Sequence, residues 1–413
     1  MHLPRINPVF SRLFTGLLLL VCIGARAAAY EPFDIEYRAE IKPERGVALV
    51  TIQLRGEKLP SKLVLHLHGD RYKHMQSTDT LDIEGDRATW KPSGTSSELS
   101  YQFAIDEQKS SGRYDSRVQA DWAILRGDKL IPPIAATMKS GLQSRAHLTL
   151  HMPNGWSAAL PYKESSENRF PITDPGRRFK RPKGWMILGN IGSRQDMIAG
   201  VSTKVAAPLD EGIRRQDTLA FLNWNLPHIV EVFPGFPNRL LVVMGGDPMW
   251  LGGLSGTGSL FMHGGRPLIS GNRTSSLIHE LVHVATGIRG DGESDWIVEG
   301  LAEFYALEIL RRSGGISEKR YQQALEALAE WGRESATLFR KRSEGATTAR
   351  AASIIANVDR EIRSATNNQA SIDDVARALA EERGQVSLSQ LRRLAAEAAG
   401  KPVQALSDRA LSN

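Results

Sequence analysis

The chain has 413 residues, 41% of them apolar and 24% charged, with a formal charge of +6 and a single cysteine. This composition excludes a disordered chain, a polytopic membrane protein and a disulfide-stapled miniature fold, and the length suits two or three domains.

The first element is an apolar run, Leu13 to Ala25, which follows Arg5 and Arg12 and ends in Ala25-Arg26-Ala27-Ala28-Ala29. It is too short to cross a bilayer, which takes roughly 20 apolar residues, and its small residues suit cleavage after Ala27 or Ala29. Residues 1–29 therefore read as a signal peptide, predicting a periplasmic or secreted protein with no transmembrane anchor. Val21 stands where lipoprotein processing requires Gly, Ala or Ser, which argues against a lipid on Cys22. Cleavage removes Cys22, so any metal must be held by His and carboxylates. It also removes Arg5, Arg12 and Arg26, which halves the formal charge of +6 and weakens the case for a nucleic-acid partner.

Residues 30–204 read as a β-rich, sandwich-like domain, with short runs at Phe33–Ile41, Val47–Leu54, Leu63–Leu67, Leu99–Ile105 and Ala146–Met152 separated by turn residues. Alternation puts His66 and His68 on one strand face, a pair that binds metals in some sheets. With His74 the nearest further ligand, we read them as two partly exposed histidines and keep a second metal site as the alternative. The basic stretch Arg177–Lys183, set among Pro and Gly, reads as a solvated loop.

Residues 205–315 read as a second domain. An amphipathic segment, Leu219 to Phe233, is interrupted by Pro227, and a β-like Leu240–Met244 precedes a Gly-rich strand from Gly252 to Gly265. Two helices follow, Ser275–Thr286 closed by Gly287, and Trp296–Arg312 with Ser294 and Asp295 as caps. From 316 to 413 the chain is Ala, Leu, Arg and Glu in helical period, predicting a helical C-terminal domain.

The chemistry lies in His279-Glu280-Leu281-Val282-His283. Residues four apart share a helix face, so His279 and His283 can offer imidazole nitrogens to one cation, with Glu280 beside them to take a proton from water that the metal activates. Glu299 follows His283 after fifteen intervening residues, in Trp296-Ile297-Val298-Glu299-Gly300. A turn over Gly287–Asp295 would fold the second helix back and bring Glu299 to the metal. Two His and one Glu with an open fourth position form a catalytic zinc set, and we expect one Zn²⁺ per chain. Glu303, one turn later, is read as orienting a ligand histidine, with Asp295 a weaker candidate for the same task. Trp296 and Phe304 are read as packing residues.

The HExxH motif, with Trp296, Glu299, Gly300 and the Phe304-Tyr305 pair on the next helix, resembles the signature of the gluzincin metallopeptidases. The specific match covers about 275–306. Beyond it, the arrangement is similar to the glycyl aminopeptidase branch and more distantly to the leucyl-aminopeptidase-type enzymes. The resemblance implies an α+β multidomain fold: a β-sandwich-like N-terminal domain, a thermolysin-like zinc peptidase domain and a helical C-terminal region. It also implies a peptide or protein substrate, His279, His283 and Glu299 as zinc ligands and Glu280 as general base.

Two features depart from that pattern. The leucyl-type branch binds the substrate's amino terminus through a Glu on a G-x-M-E-N strand, whereas Gly253–Leu260 carries no carboxylate. The family's oxyanion-donating Tyr falls on Thr348, and no tyrosine occurs after Tyr321; Tyr305, Tyr321 and Arg350 are the alternative donors considered. The strand around Gly256 to His263 is expected to bind extended peptide by backbone pairing, with His263 as a substrate contact. The expectation is an exported zinc metallopeptidase; the alternative is a zinc-binding homologue without turnover that serves as a peptide-binding or assembly module. The sequence specifies no oligomeric state.

Overall fold

The alternation of Phe33, Ile35, Tyr37, Ala39 and Ile41 sets all five on the buried face of one strand, Glu31–Lys42. The computed structural model describes residues 31–174 and 176–412, so the signal-peptide reading of 1–29 lies outside the described residues. Glu31–Lys42 pairs antiparallel with Val47–Arg55 and parallel with Leu142–His151, inside a six-stranded sheet. A four-stranded sheet built on Lys62–His66 supplies Leu63, Leu65 and Trp90 to the same core. Lys62–His66 ends at His66, so His68 lies beyond the strand; among the described residues neither joins a group of three or more potential metal ligands. The basic stretch is only partly solvated, because Arg181 donates to the carbonyls of Asp128 and Ile131 and Lys183 pairs with Asp174.

Trp122–Arg126 and Trp185–Gly189 pair antiparallel and are buried on both faces. Their alternation divides between two cores. Ala123, Leu125, Met186 and Leu188 face the N-terminal core, whereas Trp122, Ile124, Trp185 and Ile187 pack on Ala206, Leu241, Val243 and Phe261 of the next sheet. A shared apolar layer thus joins the first domain to the second.

The second sheet has the order Ile191–Ile198, Val201–Pro208, Arg239–Gly245, Ser259–His263, Gly253–Gly256. The boundary read between residues 204 and 205 falls inside Val201–Pro208, a strand of this sheet. The Gly-rich run expected as one strand is a hairpin, with Gly253–Gly256 antiparallel to Ser259–His263 and Gly258 at φ +59° in the turn. Gly253–Gly256 is one edge of the sheet and Ile191–Ile198 the other.

The helices among the described residues are, in order, α1 Gly127–Leu130, α2 Arg215–Val232, α3 Ser276–Thr286, α4 Asp295–Arg312, α5 Glu318–Gly332, α6 Ala346–Ala365, α7 Ile372–Glu382, α8 Leu388–Ala399 and α9 Asp408–Ser412. Pro227 does not interrupt α2, which runs through it; packing of Leu222, Leu226 and Ile229 outweighs the one lost N–H. One apolar cluster extends from Ile198 to Leu411, so the helical tail shares its core with the second sheet. The segment after α3 is not a simple turn: Ile288–Gly290 pairs in parallel with Gly384–Val386. No helix among the described residues is long and apolar enough to cross a membrane.

Candidate active site

Helix α3 starts where Ser275 accepts the Ile278 N–H and stops where Gly287, in the left-handed region at φ 60°, donates its N–H to the His283 carbonyl. Leu277, Ile278, Leu281 and Val282 anchor one face in the core. The opposite face turns His279, Glu280 and His283 toward a cavity of about 950 Å³, at the upper end of the usual range for ligand clefts. Helix α4 is fixed by the fully buried Trp296 and Ile297 and by Gly300, where a Cβ would stand 2.8 Å from that of Ala351 on α6. This close approach sets Glu299 and Glu303 against α3. Ser294 occupies the N-cap position without a side-chain cap bond, and Asp295 accepts instead from the Ser343 N–H at 2.6 Å, tying the α5–α6 connection to the start of α4.

The ligand atoms of His279, His283 and Glu299 lie within 4.8 Å of one another, the one such group among the described residues. His279 Nε2 is 3.1 Å from His283 Nε2 and 3.2 Å from Glu299 Oε2, and His283 Nε2 is 3.5 Å from Glu299 Oε1. Tetrahedral zinc, with Zn–N near 2.0–2.1 Å, puts ligand atoms about 3.3–3.4 Å apart. The donor set and its spacing therefore fit a zinc ion. Glu303 Oε2 lies 3.1 Å from His279 Nδ1, the geometry that directs Nε2 at the cluster.

Without a metal the two imidazoles and the carboxylates around them shift one another. Burial pushes the His279 imidazole down, but hydrogen bonds to Glu299 and Glu303 outweigh it and hold its pKa well above the usual value. Burial, reinforced by the charge on His279, lowers His283 to about 4. Burial alone would raise the Glu299 carboxyl, yet its hydrogen bond with His279 and the two imidazoles keep it below the normal range. Glu280 is raised by burial, against the charge of His279 and hydrogen bonds from the Ser255 N–H and hydroxyl. The edge strand comes this near because residue 253 is glycine: a Cβ there would lie 2.5 Å from Glu280 Cγ.

Among the other expected site residues, Gly256 and His263 do not line the cavity; Gly252–Ser255 of the same hairpin do. Gly256 faces the N-terminal domain, with Trp185 Cδ1 3.0 Å from where its Cβ would be. His263 is 5% exposed, accepts the Gly265 N–H through Nδ1 at 3.1 Å and has Nε2 3.5 Å from Asp247. Chain alternation identified the strand but could not say that it doubles back at Gly258. Thr348 lines the cavity near the start of α6, whereas the three alternative oxyanion donors do not. The Tyr305 hydroxyl donates to Asp373 at 2.8 Å, Tyr321 is buried beside Glu308 and Arg311, and Arg350 donates to the carbonyls of Ser335 and Leu411. The sequence reading missed Ser255 and the cavity-lining Arg289, Lys341 and Arg342, which belong to no motif and meet only through the fold.

No protein-family model and no curated protein matches the chain. Solved structures do. An aminopeptidase N family protein from Idiomarina loihiensis superposes with a TM-score of 0.65 at 14% identity, over 84% of this chain and 70% of that one. An M1 zinc metallopeptidase from Deinococcus radiodurans matches over 93% of both chains, at a TM-score of 0.57 and 17% identity. Leukotriene A4 hydrolase from Saccharomyces cerevisiae matches over 89% of this chain and 64% of its own, at 0.56 and 13%. At these identities the likeness is one of fold: the chain has the fold of the M1 zinc metallopeptidases.

Proposed function

We propose that this chain is an exported zinc-dependent metallopeptidase. The observation that carries the reading is the convergence of His279 Nε2, His283 Nε2 and the Glu299 carboxylate, with the half-buried Glu280 beside them on one cavity wall. His279, His283 and Glu299 would hold one Zn²⁺ per chain, and Glu303 would fix His279 through Nδ1. Bound zinc would supply a Lewis acid for the scissile carbonyl and lower the pKa of water at its open position toward about 7. Glu280, whose charged form Ser255 favours, is the base that would take the proton and return it to the leaving amine. The Gly253–Gly256 edge offers backbone N–H and C=O groups with which an extended peptide can pair. Solved structures of the same fold support the reading, one of them an M1 zinc metallopeptidase variant bound to a Tyr-Ser-Ala substrate.

The test is cleavage of a diverse peptide library by the zinc-loaded chain, with products read by mass spectrometry and Glu280→Gln as control. Glu280-dependent products with zinc retained in the variant are expected; products that persist in the variant refute the assignment. The absence of any tyrosine from the cavity lining among the described residues favours one second reading, a zinc-holding peptide-binding or assembly module without turnover. Under that reading Glu280→Gln changes nothing. Export is tested separately, by fractionation and N-terminal sequencing, with a mature start at residue 28 or 30 expected from the Ala27 or Ala29 cleavage site.

A further inference from the structure

Five cationic side chains line the cavity, Lys109, Arg266, Arg289, Lys341 and Arg342, together with five carboxylates. The carboxylates are engaged. Glu299 and Glu303 lie against the two ring nitrogens of His279, Glu280 is beside them and feels the charge of His279, and Asp295 accepts the Ser343 N–H. Glu344 pairs with Arg342 at 3.0 Å, in a pair whose side chains are 78% and 73% exposed and which water therefore screens. The cations are less well matched. Lys109 pairs with Asp115 at 3.1 Å, and Arg342 pairs with Glu344 and also acts through its charge on Asp295 and Glu299, but Arg289 and Lys341 form no ion pair among the described residues.

These three charges sit on tethered backbone. Arg289 is the middle residue of Ile288–Gly290, paired with Gly384–Val386. Lys341 and Arg342 lie between two anchors, the bridge from Ser294 to Arg340 and the bond from Ser343 to Asp295. All are brought to the start of α4, whose next turn carries Glu299. With Arg289 and Lys341 unpaired, and Arg342 held to Glu344 only in an exposed, water-screened pair, this wall favours an anion over a peptide ammonium.

We propose, resting on the peptidase reading above, that the cleft selects peptides bearing a carboxylate near the scissile bond, received by Arg289, Lys341 and Arg342. The carboxylate of an Asp or Glu side chain and that of a peptide C-terminus share this chemistry. Arg342 supplies a planar fork suited to a bidentate contact and Lys341 a point charge beside it.

The experiment measures peptide binding to the full chain, zinc-loaded and carrying Glu280→Gln, by calorimetry at low and at physiological salt. Matched peptides differ by Glu against Gln near the centre, and by a C-terminal acid against an amide. The charged member of at least one pair is expected to bind about tenfold more tightly, with the advantage shrinking as salt rises. The Glu/Gln ratio reports a side-chain source and the acid/amide ratio a terminal one. The combined Arg289→Ala, Lys341→Ala and Arg342→Ala changes are expected to bring the ratio to about one, and Lys341→Ala alone to lower it. Equal affinities within both pairs, tighter binding of the uncharged members or no binding of any peptide overturns the proposal. So does a charge preference that survives the triple change in a chain still holding zinc. Failure of the parent chain to cleave these peptides would count against the peptidase reading, while the binding ratios would still decide this one.

Discussion

Replacing Gly253 by alanine puts one methyl group where the edge strand meets the proposed base. The added Cβ would stand 2.5 Å from Glu280 Cγ, 3.1 Å from Glu280 Cδ and 2.9 Å from Met262 Cε. Non-bonded carbons rest about 3.5–4.0 Å apart, so the Glu280 side chain must withdraw by about 1 Å, while the Met262 methyl can swing aside. Withdrawal takes the carboxylate away from Ser255, whose N–H and hydroxyl favour its charged form. A misplacement of about 1 Å in a reacting group costs about 10²-fold, close to 2.7 kcal/mol in the barrier. None of the proposed zinc ligands is among the three atoms nearest to that Cβ, so they are expected to keep their positions. The expected result for Gly253→Ala is a fall of about 10²-fold in kcat/KM on the best library peptide, with zinc still one per chain by elemental analysis. Gly235→Ala is the control, since a Cβ there meets nothing within 4 Å. A kcat/KM within about threefold of the parent, or a loss that tracks loss of zinc, would refute the reasoning.

Glu303→Gln removes the charge that orients His279 and is expected to weaken zinc binding by about 10–100-fold in a competition titration with a chelator; unchanged affinity would return Glu303 to a solvated carboxylate. In the zinc-free protein the His279 pKa is raised, so its stabilising contribution is complete below the unfolded value near 6.5 and is lost as pH rises through the folded value. Zinc competes with that same proton, so its affinity is expected to rise by up to about tenfold per pH unit, and the Tm gap between loaded and zinc-free protein to widen from about pH 6 to pH 9. A flat or narrowing gap contradicts this. Gly300→Ala would set its Cβ 2.8 Å from Ala351 Cβ and 3.0 Å from Ala351 C, backbone that cannot step aside, and is expected to cost about 1–3 kcal/mol of stability by denaturant melting. An unchanged midpoint would mean that α4 and α6 are less tightly seated than their contact indicates.

What sequence reading recovered, and what it missed, follows from the range over which each signal acts. His279, Glu280 and His283 are tied by one helical turn, and Glu299 by a short connection to the next helix, so local period suffices to place them together. The strands Glu31–Lys42 and Val47–Arg55 were legible because each buries one face only. Trp122–Arg126 and Trp185–Gly189 were not, because strands buried on both sides lose alternation. The hairpin at Gly258 hid inside a run rich in glycine, which marks turns and bulges alike. Arg289 and Lys341 share a cavity only because α4, α6 and the Gly384–Val386 strand bring distant segments together, and no short-range pattern encodes that. His263 looked like a cleft residue from its neighbourhood in the chain, yet the strand end that carries it turns toward Asp247.

The pairing of Ile288–Gly290 with Gly384–Val386 sets an order in time as well as in space. A ribosome adds about 5–20 residues per second, so the strand that braces the link between α3 and α4 is made several seconds after the link itself. Until Gly384–Val386 emerges, the segment separating His283 from Glu299 lacks its hydrogen-bonded neighbour, and α7, whose Asp373 receives the Tyr305 hydroxyl of α4, is also newly made. The link that separates His283 from Glu299 is therefore braced by a segment far along the chain, and a C-terminal truncation ending before Gly384 would leave that link without its hydrogen-bonded neighbour.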